Sequence, residues 1–241
     1  MLIRSRRHEP ADLDRWVDHE RADEVHARLR KFAARVDAAR ETVRAFACGG
    51  GYAGVSWGKD STVLAHLVAT EAPTLPLVWI RVEPVYNPDC LLVRDAFLAA
   101  HPSVTYEEIV LHQPSGYVSG AMKPGFAEAG RRHGDRYASG VRADESGVRK
   151  LRMMTHGVDS GRTCAPIGWW NASDVFAYLW AFGLPVHPAY ACSLGGLLDR
   201  SKLRVASLGG QRGTGWGRAE WERRYYRAEV NAIERLVELD S

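Results

Sequence analysis

The 241 residues predict an α/β fold: a mostly parallel, twisted sheet with helices on both faces, Rossmann-like in outline. Two observations carry this. LPLVWIRV, ending at Val82, is a continuous apolar run of strand length, the pattern of a strand buried on both faces. Such runs then alternate with segments of helical periodicity from residue 52 onward.

Taken in order, Leu13, Trp16, Val17, Val25, Leu29, Phe32 and Val36 fall at helical spacing among charges, so residues 10–46 predict one or two amphipathic helices. Gly49, Gly50 and Gly51 break that pattern, and YAGVS (52–56) predicts the first strand. Val63, Leu64, Leu67 and Val68 restore a helix to about Thr70. After the second strand, Asn87-Pro88-Asp89 starts a helix that runs from Leu91 to Ala100 and stops before Pro102. VTYEEIVL (104–111) predicts a third strand, followed by a polar, glycine-rich stretch and a short helix over Phe126–His133. YASGV (137–141) and APIG (165–168) predict a fourth and a fifth strand. Asn171 or Ser173 caps a last clear helix, DVFAYLWAF, which Gly183 stops and Pro185 follows.

Hydrophobic residues make up 46% and charged residues 25%, the balance of a soluble globular protein. No apolar run reaches the ~20 residues of a membrane span, and the charged opening MLIRSRRHEPADLDRW is unlike a signal peptide. A cytoplasmic location without membrane contact is the expectation. The net charge of +3 leaves anion binding to local clusters. Cys48, Cys90, Cys164 and Cys192 form no CxxC pair, so no disulfide framework and no iron–sulfur cluster is expected.

The stretch SWGKDS (56–61) joins the first strand to a helix start. A helix N-terminus offers unpaired N–H groups and a partial positive charge to phosphate oxygens. Gly58 permits close backbone approach, Ser56 and Ser61 bring hydroxyls, and Lys59 brings a point charge. Asp60 is expected to brace the loop or to face Mg2+. The loop is not a Walker A sequence. A plain turn with a capping serine is the alternative.

Three ordered motifs decide the reading. SWGKDS resembles the SGGKDS loop of the phosphoadenosine-phosphosulfate reductase family, within the adenine-nucleotide α-hydrolase (PP-loop) proteins, with Trp57 at the first glycine. GVRADESGVR (140–149) is similar to the family's G-x-R-x-x-E/Q-S-x-x-R. CAPIGWWNASDVFAYLWAFGLPVHPAY (164–190) is similar to its third conserved stretch. The resemblance covers about residues 50–190. It implies ATP as substrate, held by Ser56, Trp57, Gly58, Lys59, Asp60, Ser61, Arg81 and Arg142. It also implies a catalytic set of Lys59, Asp60, Arg142 and Arg149, the two arginines closing over the ligand mouth with Glu145 positioning one of them. Arg81 is expected either at the ligand or paired with Glu83.

Within the family, the reductases take up sulfite on a cysteine of the tail, and residues 193–241 contain no cysteine. The small subunit of sulfate adenylyltransferase has a tail that finds no match here. The third group comprises the ATP pyrophosphatases of DNA phosphorothioation, which imply splitting of ATP to AMP and pyrophosphate to activate a backbone phosphate. A cysteine desulfurase or other sulfur carrier is then an expected partner. A nucleotide-sensing module without turnover is the reading of another class, favoured by Trp57 if it distorts the pyrophosphate cradle.

The expected organisation is N-terminal helices over 1–48, a nucleotide-binding core over 49–192, and a basic loop and C-terminal helix over 193–241 within the same domain. Between 200 and 235 lie nine basic residues against four acidic ones, interleaved with the glycines of SLGGQRGTGWGR (207–218) and close to Trp216 and Trp221. The segment 200–227 suits a DNA backbone, the triphosphate of ATP, or a solvated helix face.

Overall fold

The computed structural model describes residues 1–112, 120–209 and 217–239. Two helices open the chain, α1 (Pro10–Ala27) and α2 (Arg30–Ala47). The alternating region follows as β1 (Tyr52–Val55), α3 (Lys59–Glu71), β2 (Leu77–Glu83), α4 (Asp89–Ala100), β3 (Tyr106–His112), α5 (Lys123–His133) and β4 (Tyr137–Ser139). It continues through α6 (Gly147–His156), β5 (Thr163–Cys164) and α7 (Ala172–Ala181), and ends with α8 (Arg218–Tyr225) and α9 (Arg227–Leu239).

All five strands are parallel, in the order β3-β2-β1-β4-β5. Val55 sits beside Trp79, Ile80 beside Ile109, and Gly54 beside Ser139. The chain first steps outward from β1 to β3, then returns past β1 to β4. Right-handed crossovers in opposite directions must place their helices on opposite faces. Accordingly, Leu64, Leu67, Val93 and Phe97 of α3 and α4 join the large core, whereas Ala129 of α5 packs with Tyr52, Val78, Ile80 and Ile109 on the other face. The order reverses between β1 and β4, and in open α/β sheets the crevice beyond that point receives ligands.

The large core takes Trp16 from α1, Phe32 and Val36 from α2, and Trp221 and Ile233 from α8 and α9. Asn171 caps α7 reciprocally. Its Oδ1 accepts from the Asp174 amide at 2.9 Å, and Asp174 Oδ2 accepts from the Asn171 amide at 2.8 Å.

The fifth strand differs from expectation. Thr163–Cys164 pairs with β4, while 165–168 forms a turn closed by the Gly168 amide on the Ala165 carbonyl at 2.8 Å. Pro166 has no N–H to give a ladder, so APIG cannot extend the sheet far. No helix among the described residues is long and apolar enough to cross a membrane.

Candidate functional site

A cavity of about 410 Å³ opens beyond the carboxyl ends of β1 and β2. Ser56, Gly58, Lys59, Asp60 and Ser61 form one wall, and Val141, Glu145 and Arg149 of the segment after β4 form a second. Trp79 to Val82, Val85, Tyr86 and Met122 supply a mostly apolar floor. Leu203 to Ser207 pass across it as a strap.

The loop is shaped from within. The Ser56 amide donates to Ser61 Oγ at 3.1 Å, and Ser61 Oγ donates to the Gly58 carbonyl at 3.1 Å. Thr62 donates its amide to the same carbonyl at 2.9 Å and its hydroxyl at 3.1 Å. N-cap Gly58 has no side chain to cap α3, so the first amides of the helix lack an internal partner. That of Lys59 donates instead to the Tyr190 hydroxyl at 3.0 Å. Gly140 lies so close behind the loop that a Cβ there would stand 2.8 Å from the Asp60 carbonyl carbon and oxygen. Only glycine leaves room at that point.

Asp60 is held between two cations. Its Oδ1 accepts from Arg142 Nε at 2.6 Å and its Oδ2 from Lys59 Nζ at 2.9 Å. Both oxygens being taken by cations, the residue does not fit a protein-held magnesium ion, and no carboxylate is assigned to one. The arrangement is that of a brace.

Arg142 departs from the expected placement. Its side chain is 2% exposed and does not line the cavity. Besides Asp60 it reaches Asp144 and the Trp170 carbonyl, each at 3.3 Å. Burial works against its charge, but the carboxylates of Asp60, Glu145 and Asp144 outweigh that and raise its pKa. It anchors the wall from inside, where contact with a ligand is closed to it. Arg149 is the arginine at the mouth, paired with Glu145, which also accepts the Arg142 amide at 2.8 Å. Glu145 thus positions Arg149. Arg81 lines the cavity, stacks 4.7 Å over the Tyr86 ring, and pairs with both Glu83 at 2.6 Å and Glu108 at 3.2 Å.

Trp57 also departs from expectation as a ligand contact. It is fully buried, against Phe97 at 5.5 Å and Tyr106 at 5.6 Å between ring centroids, on the side away from the cavity. Its φ is +60°, the left-handed conformation that a glycine supplies freely at this position. Burial of the indole holds the tryptophan there, and its side chain does not enter the cavity.

The strap went unrecognised in the sequence as a site element. Asn87 donates its amide to Ala206 at 3.1 Å and Leu208 to Val85 at 2.7 Å, while Arg218 donates to the carbonyls of Arg204 at 2.6 Å and Ser207 at 2.9 Å. These bonds lay exposed Arg204 at the cavity. Its only sequence signal was a place in the basic count. Other members of that count are internal. Arg200 is buried in a fork on Asp23 at 2.5 and 2.9 Å, and Trp221 is fully buried, donating Nε1 to the Cys192 carbonyl at 2.8 Å. Trp221 is therefore not a stacking surface. Lys202, Arg223 and Arg227 are exposed. Arg212, Trp216 and the glycines between them lie outside the described residues.

No family model matches the chain, and no curated protein matches its sequence. Among solved structures it is similar to the U34-tRNA thiolase NcsA from Methanococcus maripaludis with its [4Fe-4S] cluster. Identity is 14% over 86% of this chain and 80% of that one, with a TM-score of 0.45. That structure holds a cluster, against the expectation of no iron–sulfur cluster for this chain, and the expectation is not carried further. The four cysteines here are free thiols, Cys90, Cys164 and Cys192 buried and Cys48 exposed.

Proposed function

We propose that the chain binds ATP in this cavity and cleaves it between the α and β phosphates, releasing pyrophosphate and passing the adenylyl group to an acceptor phosphate. AMP leaves that adenylate when water or a sulfur nucleophile attacks. The observation that carries the reading is the α3 N-terminus, whose N-cap Gly58 has no side chain to cap it, opening into a cavity at the point where the strand order reverses. Oxygens of the β- and γ-phosphates would lie against the 58–61 loop, with Arg149 and Arg204 as further cations of the lining. The floor of Trp79, Ile80, Val82, Val85 and Met122 suits a purine base. A short loop of this kind favours holding pyrophosphate as a leaving group. Transfer of the γ-phosphate calls for a longer glycine-wrapped lysine and a positioned water. Arg149 neutralises the charge that develops as the α–β bridge breaks.

The acceptor we propose is a DNA backbone phosphate destined for sulfur incorporation, with the sulfur brought by a partner carrier. Exposed Lys202, Arg204, Arg223 and Arg227 support a polyanionic acceptor. Phosphorus NMR of the products from magnesium-ATP tests the cleavage: AMP with pyrophosphate is expected, and ADP with orthophosphate overturns it. Transfer of labelled AMP to duplex DNA tests the acceptor.

A further inference from the structure

Tyr190 belongs to the third sequence motif, and its hydroxyl has bonding capacity beyond the Lys59 amide. It ends the sharp 3-10 turn of Pro188–Tyr190, and its ring is packed edge-on against Phe176 at 5.5 Å between centroids. The residue is 3% exposed, and it also lines the cavity. Its oxygen accepts the Lys59 amide at 3.0 Å. A phenol carries one proton of its own to donate, and that proton meets no acceptor among the described residues. Burial, reinforced by nearby Asp60, pushes the phenol well above its ordinary range, so the proton is present at any physiological pH. Lys59 Nζ lies 5.4 Å from the ring and is committed to Asp60, leaving the hydroxyl as the neutral donor at this end of the loop.

We infer that Tyr190 is a ligand-binding residue of the site: its hydroxyl takes the first amide of α3 and passes a hydrogen bond on to a phosphoryl oxygen. The inference rests on the ATP reading above. Its consequence is a displaced anion position. The oxygen facing Lys59 is bound one hydrogen bond further out than in a cradle made of amides alone, because the phenol stands between it and the helix. Gly58 fits this arrangement, since a Cβ there would lie 3.2 Å from the Tyr190 oxygen and 3.4 Å from Val205 Cγ2 of the strap. The loop, the phenol and the strap thus meet at one point, which fixes where the phosphate chain turns.

Calorimetric titration of inorganic pyrophosphate, ATP and adenosine into wild type and Tyr190→Phe tests this. The expected result is a folded variant whose affinity for pyrophosphate and ATP falls about tenfold or more, the scale of a lost bond to a charged oxygen, while adenosine affinity stays unchanged. Unchanged pyrophosphate affinity overturns the assignment, and so does an equal loss for adenosine, which marks a merely structural residue. Wild-type protein that binds neither ATP nor pyrophosphate overturns the parent reading. Should Tyr190→Phe not fold, 3-fluorotyrosine at position 190 keeps the size and makes a stronger donor. Tighter pyrophosphate binding is then expected, and unchanged or weaker binding refutes the role.

Discussion

Arg142 Nε stands 2.6 Å from Asp60 Oδ1, an ion pair that ties the segment after β4 to the first turn of α3 from inside the molecule. Asp60→Asn keeps an oxygen that can accept from the buried guanidinium but removes its nearest countercharge, leaving the carboxylates of Glu145 and Asp144. Removing one partner of a buried pair leaves an uncompensated charge, so a loss of about 2–4 kcal/mol is expected. Urea unfolding measures it. A loss below about 1 kcal/mol contradicts the bracing role.

Arg149 should behave in the opposite way. Its side chain is 35% exposed and it faces the cavity, so Arg149→Ala is expected to leave the unfolding midpoint nearly unchanged. Turnover of ATP should fall on the order of a hundredfold with little change in ATP affinity, the signature of an interaction made mainly in the transition state. Parallel measurement of kcat and of binding by calorimetry separates the two. An affinity loss equal to the loss in kcat/KM, with kcat intact, rules out the proposed role.

At position 57 two substitutions compete. Trp57→Ala removes an indole with no exposure and is expected to destabilise by about 3–5 kcal/mol. Trp57→Gly leaves the same void but relieves the left-handed backbone, and should be about 1 kcal/mol more stable than the alanine variant. Ordinarily glycine is the worse of the pair. Guanidinium unfolding of both variants reports the order, and alanine above glycine refutes the strain.

Acid should destabilise the fold through its buried histidines. Burial, helped by His101 and Arg40, holds His66 at about 4, and burial with Arg7 holds His187 at about 3. His19 and His101 are also lowered, mainly by burial. A histidine whose folded pKa lies below its unfolded value binds fewer protons when folded, so stability declines as pH falls from about 6.5 toward 4. Each fully shifted histidine contributes a slope of up to about 1.4 kcal/mol per pH unit. His66→Gln should shallow the slope of unfolding free energy between pH 6 and 4.5. An unchanged slope rejects His66 as a source.

β2 was legible because a continuous apolar run of strand length marks a strand buried on both faces, and β3, an edge strand in which only Ile109 is buried, still falls largely within VTYEEIVL. The two-residue β5 offers too few side chains to carry a pattern, so its place slipped toward APIG. In the site, the family resemblance pointed to the loop 56–61 and Arg149, and Ser56, Gly58 to Ser61 and Arg149 line the cavity. The roles of Arg142 and Trp57 were not, because a side chain's direction depends on partners distant in sequence: Asp60 and Trp170 for one, Phe97 and Tyr106 for the other. The strap was hidden for the same reason. Nothing local in Leu203–Ser207 announces the bonds that Asn87, Val85 and Arg218 make with its neighbourhood.

The strap also sets an order in time. The strands of the described sheet are complete at Cys164, yet the wall over the cavity is fastened by Arg218. A nascent chain emerging from the ribosome therefore carries the whole sheet before it carries a closed pocket. Closure of the cavity has to wait for α8 to leave the exit tunnel, so the ligand proposed for it would meet a complete wall only once that helix has emerged.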